Sequence, residues 1–137
     1  MSEKTVRQVL NQLKPIDETL VASATQTTTG NGSDYDTEGI KDAVVFLNIS
    51  AASGTTPTLD VKIQGKDPVS AAYKDLCAFT QKTTTGTAII VLGTGAANTA
   101  ETDDAWENPL PKKIRAAWTI GGTTPSFTFS LGITGKS

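Results

Sequence analysis

The chain contains no histidine and a single cysteine, Cys77. These two shortages remove much of the common enzymatic repertoire. Triads of the Ser-His-Asp or Cys-His kind need an imidazole to take the nucleophile's proton. Conventional zinc sites draw on several His and Cys ligands, which one thiol cannot supply. A lone cysteine also excludes an internal disulfide, so Cys77 reads as a small buried hydrophobe on a strand. Charge is sparse as well: 19% of residues are Asp, Glu, Lys or Arg, the net charge is -2, and no basic run occurs. Nucleic acids and anionic membranes are held largely through clustered Lys and Arg, so neither is an expected partner. No apolar stretch approaches the roughly 20 residues of a helical membrane span. The opening "MSEKTVRQVLNQLKP" lacks the continuous apolar core of a secretory signal, and synthesis in the cytoplasm is the expectation. The glycines of "GTGAAN" (Gly93 to Asn98) lack the lysine and spacing of a phosphate loop.

What the chain has in quantity is Thr, Ser, Gly and Ala. Threonine's branched Cβ suits a pleated strand, while 12 Gly and 6 Pro supply turns. With 137 residues the chain fits one domain, and folding at this size removes roughly two-thirds of the unfolded surface from water. The composition predicts an all-β domain. Residues 1–15 differ from the rest. Val6, Val9, Leu10 and Leu13 form one helical stripe, Ser2 can cap, and Pro15 stops the helix. So short a helix is marginal alone in water and needs a surface, either its own domain or a neighbour. The expected division is a helical arm over 1–15 and a β-sandwich over 16–137.

From Thr19 the period becomes two. "TLVASATQTTTG" alternates loosely, with Leu20, Ala22 and Ala24 on one side. "DAVVFLNIS" (Asp42 to Ser50) is dense enough in apolar residues to predict a central strand covered on both faces. Two stretches then share a motif. Gly54 to Pro57 and Gly122 to Pro125 both read Gly-Thr-Thr-Pro. After the first, Leu59, Val61 and Ile63 alternate with Asp60, Lys62 and Gln64. After the second, Phe127, Phe129, Leu131 and Ile133 alternate with Thr128 and Ser130. Each copy predicts a hairpin in which the proline preorganises the loop, and two such hairpins packed face to face make a sandwich. Chance, a shared solution to turn geometry and internal duplication all remain open as origins of the repeat. "YKDLCAFTQ" and "TAIIVLG" predict two shorter strands joined by a "KTTTG" hairpin loop. The stretch after Gly93, about twenty residues without period, predicts a functional or interface loop. The sum is an antiparallel β-sandwich of about eight strands, jelly-roll-like because the paired cysteines of an immunoglobulin domain are missing.

Candidate chemistry is thin. Asp34, Asp36 and Glu38 cluster in one loop; Glu101, Asp103, Asp104 and Glu107 crowd another. Such acids suit calcium or glycosidic acid–base work, but neither run has EF-hand spacing, and solvated loop acids are the default. Trp106 lies in the long loop, as a subunit contact, a lid or a sugar platform, in that order. Tyr73 is a second candidate platform. Trp118 shares its phase with Ile114, Ala116 and Ile120 and reads as core. The expected partner-interface residues are Val6, Val9, Leu10, Leu13 and Trp106; no catalytic, metal or cofactor residue is assigned.

The order "VVFLNIS…TTPTLDVKIQGKD…YKDLCAFT…TTTGTAIIVLG…KKIRAAWTIGGTTPSFTFSLGI" resembles the small β-sandwich virion proteins of tailed bacteriophages, of the capsid decoration (cement) or head-associated type. The resemblance runs from about Asp42 to Gly135 and lies in the succession of strands and loops, with no motif through which functional residues transfer. It implies a non-enzymatic protein that binds the outer capsid, has the major capsid protein as partner and forms a homo-oligomer, a trimer by preference. It further implies residence in the virion after synthesis in the host cytoplasm. The alternative is a carbohydrate-binding module of a phage fibre or related adhesion protein, using Trp106 and Tyr73. A glycosidase using the loop carboxylates is a distant third.

Overall fold

The computed structural model describes residues 16–136. The expected helical arm, with Val6, Val9, Leu10 and Leu13, lies outside the described residues. The described chain is all-β: β1 (Ile16–Gln26), β2 (Gly30–Asn31), β3 (Tyr35–Asp36), β4 (Asp42–Lys66), β5 (Tyr73–Ala78), β6 (Gly86–Gly93), β7 (Asp104–Trp106) and β8 (Lys113–Lys136). All eight belong to one sheet.

Two strands dominate. β4 has 25 residues and β8 has 24, several times the usual strand length. They pair antiparallel with each other from Asp42↔Lys136 to Gly65↔Ile114. The ribbon they form does not run straight. Trp118 and Phe129, both on β8, meet edge to face with ring centroids 5.3 Å apart. An uninterrupted strand would hold residues eleven apart at about 35 Å, so the ribbon doubles back between them and its two halves pack as layers. One half-sheet orders β1, the C-terminal half of β8, the N-terminal half of β4 and β6. The other orders β2 with β3, the N-terminal half of β8, the C-terminal half of β4 and β5. This is a jelly roll.

The bend falls at the repeated tetrapeptide, and the two copies face one another: Ser53 pairs Ser126, Thr55 pairs Thr123, and Thr58 pairs Gly121, with register shifts between them. Thus neither Gly-Thr-Thr-Pro turns a hairpin, contrary to expectation. Each is the corner of a strand that continues into the other layer. Pro57 and Pro125 fall where the ladder is interrupted, so their missing N–H groups leave no bond unmade. Gly54 and Gly122 adopt φ of 116° and 110°, a region open to glycine at little cost. A Cβ on Gly54 would sit 2.8 Å from the Thr124 carbonyl oxygen, and one on Gly122 would sit 2.7 Å from that of Thr56. The motif is written twice because each strand's glycine makes room for the other strand's Thr-Pro. Thr56 and Thr124 take left-handed φ values of 47° and 46°, a strained position for a β-branched residue. Each hydroxyl donates to the preceding carbonyl at 2.8 Å.

The core lies between the half-sheets. Leu59, Val61, Ile63, Phe127, Phe129, Leu131 and Ile133 point inward as the alternation predicts, and Trp118, Ile114 and Cys77 join them. Full burial of a side chain of this size contributes roughly 1.5–3 kcal/mol. Other expectations need correction. β5 and β6 do not form a hairpin; each pairs with a different half of β4, so the "KTTTG" segment crosses between layers. Leu20 and Val21 both pack against the core while Ala22 and Ala24 are exposed, because β1 carries two bulges that shift its phase. The stretch after Gly93 contains β7, which runs parallel to β6 from Ile90↔Asp104 to Leu92↔Trp106.

Gly54→Ala or Gly122→Ala is expected to lower the unfolding free energy by about 2–4 kcal/mol through strain and collision with the facing corner. Urea denaturation measures this, and a loss below about 0.5 kcal/mol would contradict the corner geometry.

Candidate functional site

The sandwich has two outer faces, and they are chemically opposite. On the half-sheet containing β5, the outward residues of β4 are Asp60, Lys62, Gln64 and Lys66, and they enter a polar mesh. Lys62 Nζ lies 3.1 Å from Asp75, Gln64 Nε2 donates to Asp75 at 2.9 Å, and Arg115 Nε donates to Gln64 Oε1 at 2.9 Å. The Arg115 guanidinium sits 3.4 Å from the centroid of Tyr73, a cation–π stack. Tyr73 donates its hydroxyl to Asp34, which also pairs with Lys66 at 3.0 Å. Tyr73 opens β5, and one face of its ring is already covered. The Tyr73 hydrogen bond and then Lys66 hold the Asp34 carboxyl below its ordinary 3.8.

Asp36, Glu101, Asp103 and Asp104 are likewise tied into local bonds. Asp36 accepts from the Glu38 amide at 2.9 Å and pairs with Lys113 at 3.2 Å. Glu101 accepts from Thr99 Oγ1 at 3.0 Å. Asp104 accepts from the Ala78 amide at 3.0 Å. Asp103 accepts from the Thr80 amide at 3.1 Å and from Lys82 at 2.8 Å, pinning its loop to the segment that crosses between layers. Burial pulls the Asp103 carboxyl upward, but the bonds from Lys82 and Thr80 outweigh it and hold the group below 3.8. Among the described residues no three His, Cys, Asp or Glu side chains converge as a metal cluster. Cys77 is buried, and that burial, with the Asp104 charge behind it, pushes its thiol up to about 12.

Trp106, the one expected interface residue among those described, ends β7 beside Leu92. It is half-buried, packs against the core and donates Nε1 to the Pro109 carbonyl at 3.2 Å. Val6, Val9, Leu10 and Leu13, expected to share an interface with it, lie outside the described residues.

The opposite outer face was not anticipated. In β4 the inward residues are Ala43, Val45, Leu47 and Ile49, which leaves Val44 and Phe46 pointing out. Contrary to expectation, then, "DAVVFLNIS" has one covered face among the described residues, and Phe46 is 48% exposed. Cross-strand neighbours extend the band, since Val44 pairs Val91 and Phe46 pairs Ile89. On its other side Phe46 pairs Gly132. That glycine floors a shallow groove walled by Phe46, Thr19 and Thr134. A second groove, of about 430 Å³, adjoins Val44 and Val91 beneath Gly95 and Ala97. The signal was in the sequence: apolar residues in both phases of a strand mean two greasy faces, and only one of them need be core.

No protein-family model and no curated protein matches the chain. In fold it is similar to a chain of the solved "Structure of infectious bursal disease virus Gt strain", with a TM-score of 0.42 and 16% identity over 90% of this chain. The match spans 33% of that chain, so this protein is about a third of its length.

Carboxyls held low contribute stability that is full above the ordinary carboxylate range and is lost as pH falls through their folded values. The thermal midpoint is therefore expected to drop between about pH 5 and about pH 2. The Asp34→Asn/Asp103→Asn double variant should show a flatter acid limb and a neutral-pH midpoint lower by about 2–4 °C. An acid limb as steep as the parent's in scanning calorimetry would contradict the assignment.

Proposed function

We propose that the protein is a non-enzymatic virion structural protein, and within that class a bacteriophage capsid decoration protein that binds the capsid surface as a homo-oligomer. A trimer is the favoured assembly and the major capsid protein the partner. The chain would then reside in the virion after synthesis in the host cytoplasm.

The observation that carries this is the state of the acids. Asp34, Asp36, Asp67, Asp75 and Asp103 all have carboxyls held below the ordinary value, each by hydrogen bonds. General acid catalysis by a carboxyl needs the reverse, a group raised toward neutral pH. These carboxylates are built as struts. Jelly rolls serve in viral capsids and in lectins. The carbohydrate alternative needs open aromatic faces, and both of its candidates are engaged, Tyr73 beneath Arg115 and Trp106 against the core. A rigid two-layer body carrying surface contacts suits a coat component, where many modest contacts repeated over a shell sum to large stabilisation.

Light scattering on the purified protein should give the mass of an oligomer, and co-sedimentation should show saturable binding to capsids of the phage that encodes it. A monomer that stays in the supernatant would overturn the proposal. Retention on a glycan array that is lost in Trp106→Ala would favour the alternative.

A further inference from the structure

The outward band of Val44, Phe46, Ile89 and Val91 is a sheet face without a partner among the described residues. We propose that this face is the contact surface for a second copy of the chain, placed by a two-fold axis that runs along the strands between β4 and β8.

The register carries the argument. Three cross-strand pairs of β4 and β8 point outward here: Phe46 with Gly132, Val44 with Thr134, and Asp42 with Lys136. Each pair joins complements. Phe46 is a half-exposed knob, and Gly132 beside it floors a hollow. Val44 and Thr134 are nearly the same shape. Asp42 is an anion, and the exposed Lys136 is a cation. A two-fold axis between the strands lays β4 of one copy over β8 of the other and exchanges the members of every pair. Phe46 then enters the Gly132 hollow of the second copy, and Asp42 of each copy meets Lys136 of the other. Each contact is made twice with the roles reversed, which is the rule of a two-fold interface. One row further out, Ile89 pairs Phe46 and Thr19 pairs Gly132. The same axis sets Ile89 over the methyl of Thr19.

Size and rigidity agree. Four strands side by side span about 19 Å, and the nine residues from Asp42 to Ser50 run about 30 Å. A face of that size covers about 570 Å² on each copy, or about 1,100 Å² on the pair, above the roughly 1,000 Å² that a specific contact needs. Asp42 is already set in place by the Gly95 amide, which donates to it at 2.9 Å, so little freedom is lost on pairing. A band centred on Phe46 is an aggregation liability if left bare. The β5-side outer face offers no comparable seat, because covering its ion pairs would strip them of water without supplying new partners.

The pairing is two-fold, separate from the trimer proposed on the capsid, and needs no capsid. Sedimentation equilibrium on the purified chain should give a dimer, or a hexamer made of two trimers. Gly132→Val fills the hollow. A Cβ there meets the Glu18 carbonyl oxygen at 3.7 Å, an ordinary contact, so the sheet should hold while the pairing weakens by about a hundredfold or more. Lys136→Asp sets like charges against each other and should weaken pairing roughly tenfold. Adding Asp42→Lys to that variant should recover most of the loss, because the swapped charges meet again across the axis. A parent chain that stays monomeric at about 100 μM would overturn the proposal. So would an oligomer whose mass Gly132→Val leaves unchanged, a result that leaves the virion reading standing.

Discussion

The structure depends on a close approach of backbone to backbone. At one corner the absent side chain of Gly54 leaves space for Thr124 and Pro125, and the absent side chain of Gly122 leaves space for Thr56 and Pro57. Because the two strands are antiparallel, one tetrapeptide placed once on each satisfies both sides. The bend lets β4 and β8 serve twice, as central strands of both layers, so their pairing continues across the corner with only local shifts of register. Everything else is hung on this ribbon. β1, β2 and β3 lie along one edge, β5 and β6 along the other, and the core fills the space the fold encloses.

Folding a ribbon over makes an inside and two outsides, and the outsides are free to differ. Here one is a lattice of Lys, Asp, Gln and Arg bonds around Tyr73, which fixes side chains and keeps that face wetted. The other carries Val44, Phe46, Ile89 and Val91. That asymmetry gives the molecule a direction. Asp103, one of the acids that first suggest chemistry, acts as a brace between the stretch before β7 and the segment at Thr80 to Lys82.

Much of the fold could be read in the chain. The inward positions of both Gly-Thr-Thr-Pro strands, the burial of Trp118 and Cys77, the strand count and the jelly-roll class followed from period-two alternation and turn residues. The hairpin reading failed for a definite reason. A glycine-threonine-proline break between two amphipathic runs looks the same whether the chain reverses or bends and continues, and only partner strands far along the sequence decide. For the same reason "KTTTG" resembled a hairpin loop. β1 misled through its bulges, which move Ala22 and Ala24 off the phase set earlier in the strand. The apolar band was hidden by its own density, since "DAVVFLNIS" was assigned wholly to the interior when half of it is outward. Of the candidate interface residues Trp106 alone is among the described residues, and it packs on the core.

The central claim is that the two tetrapeptides face one another across a continuous ribbon. Nuclear Overhauser contacts in the isotope-labelled protein test this directly. The account predicts cross-strand backbone contacts between Thr55 and Thr123 and between Ser53 and Ser126, together with ring contacts between Trp118 and Phe129. Contacts that instead close each tetrapeptide on itself, pairing Ser53 with Thr58 and Gly121 with Ser126, would mean two separate hairpins and would contradict it.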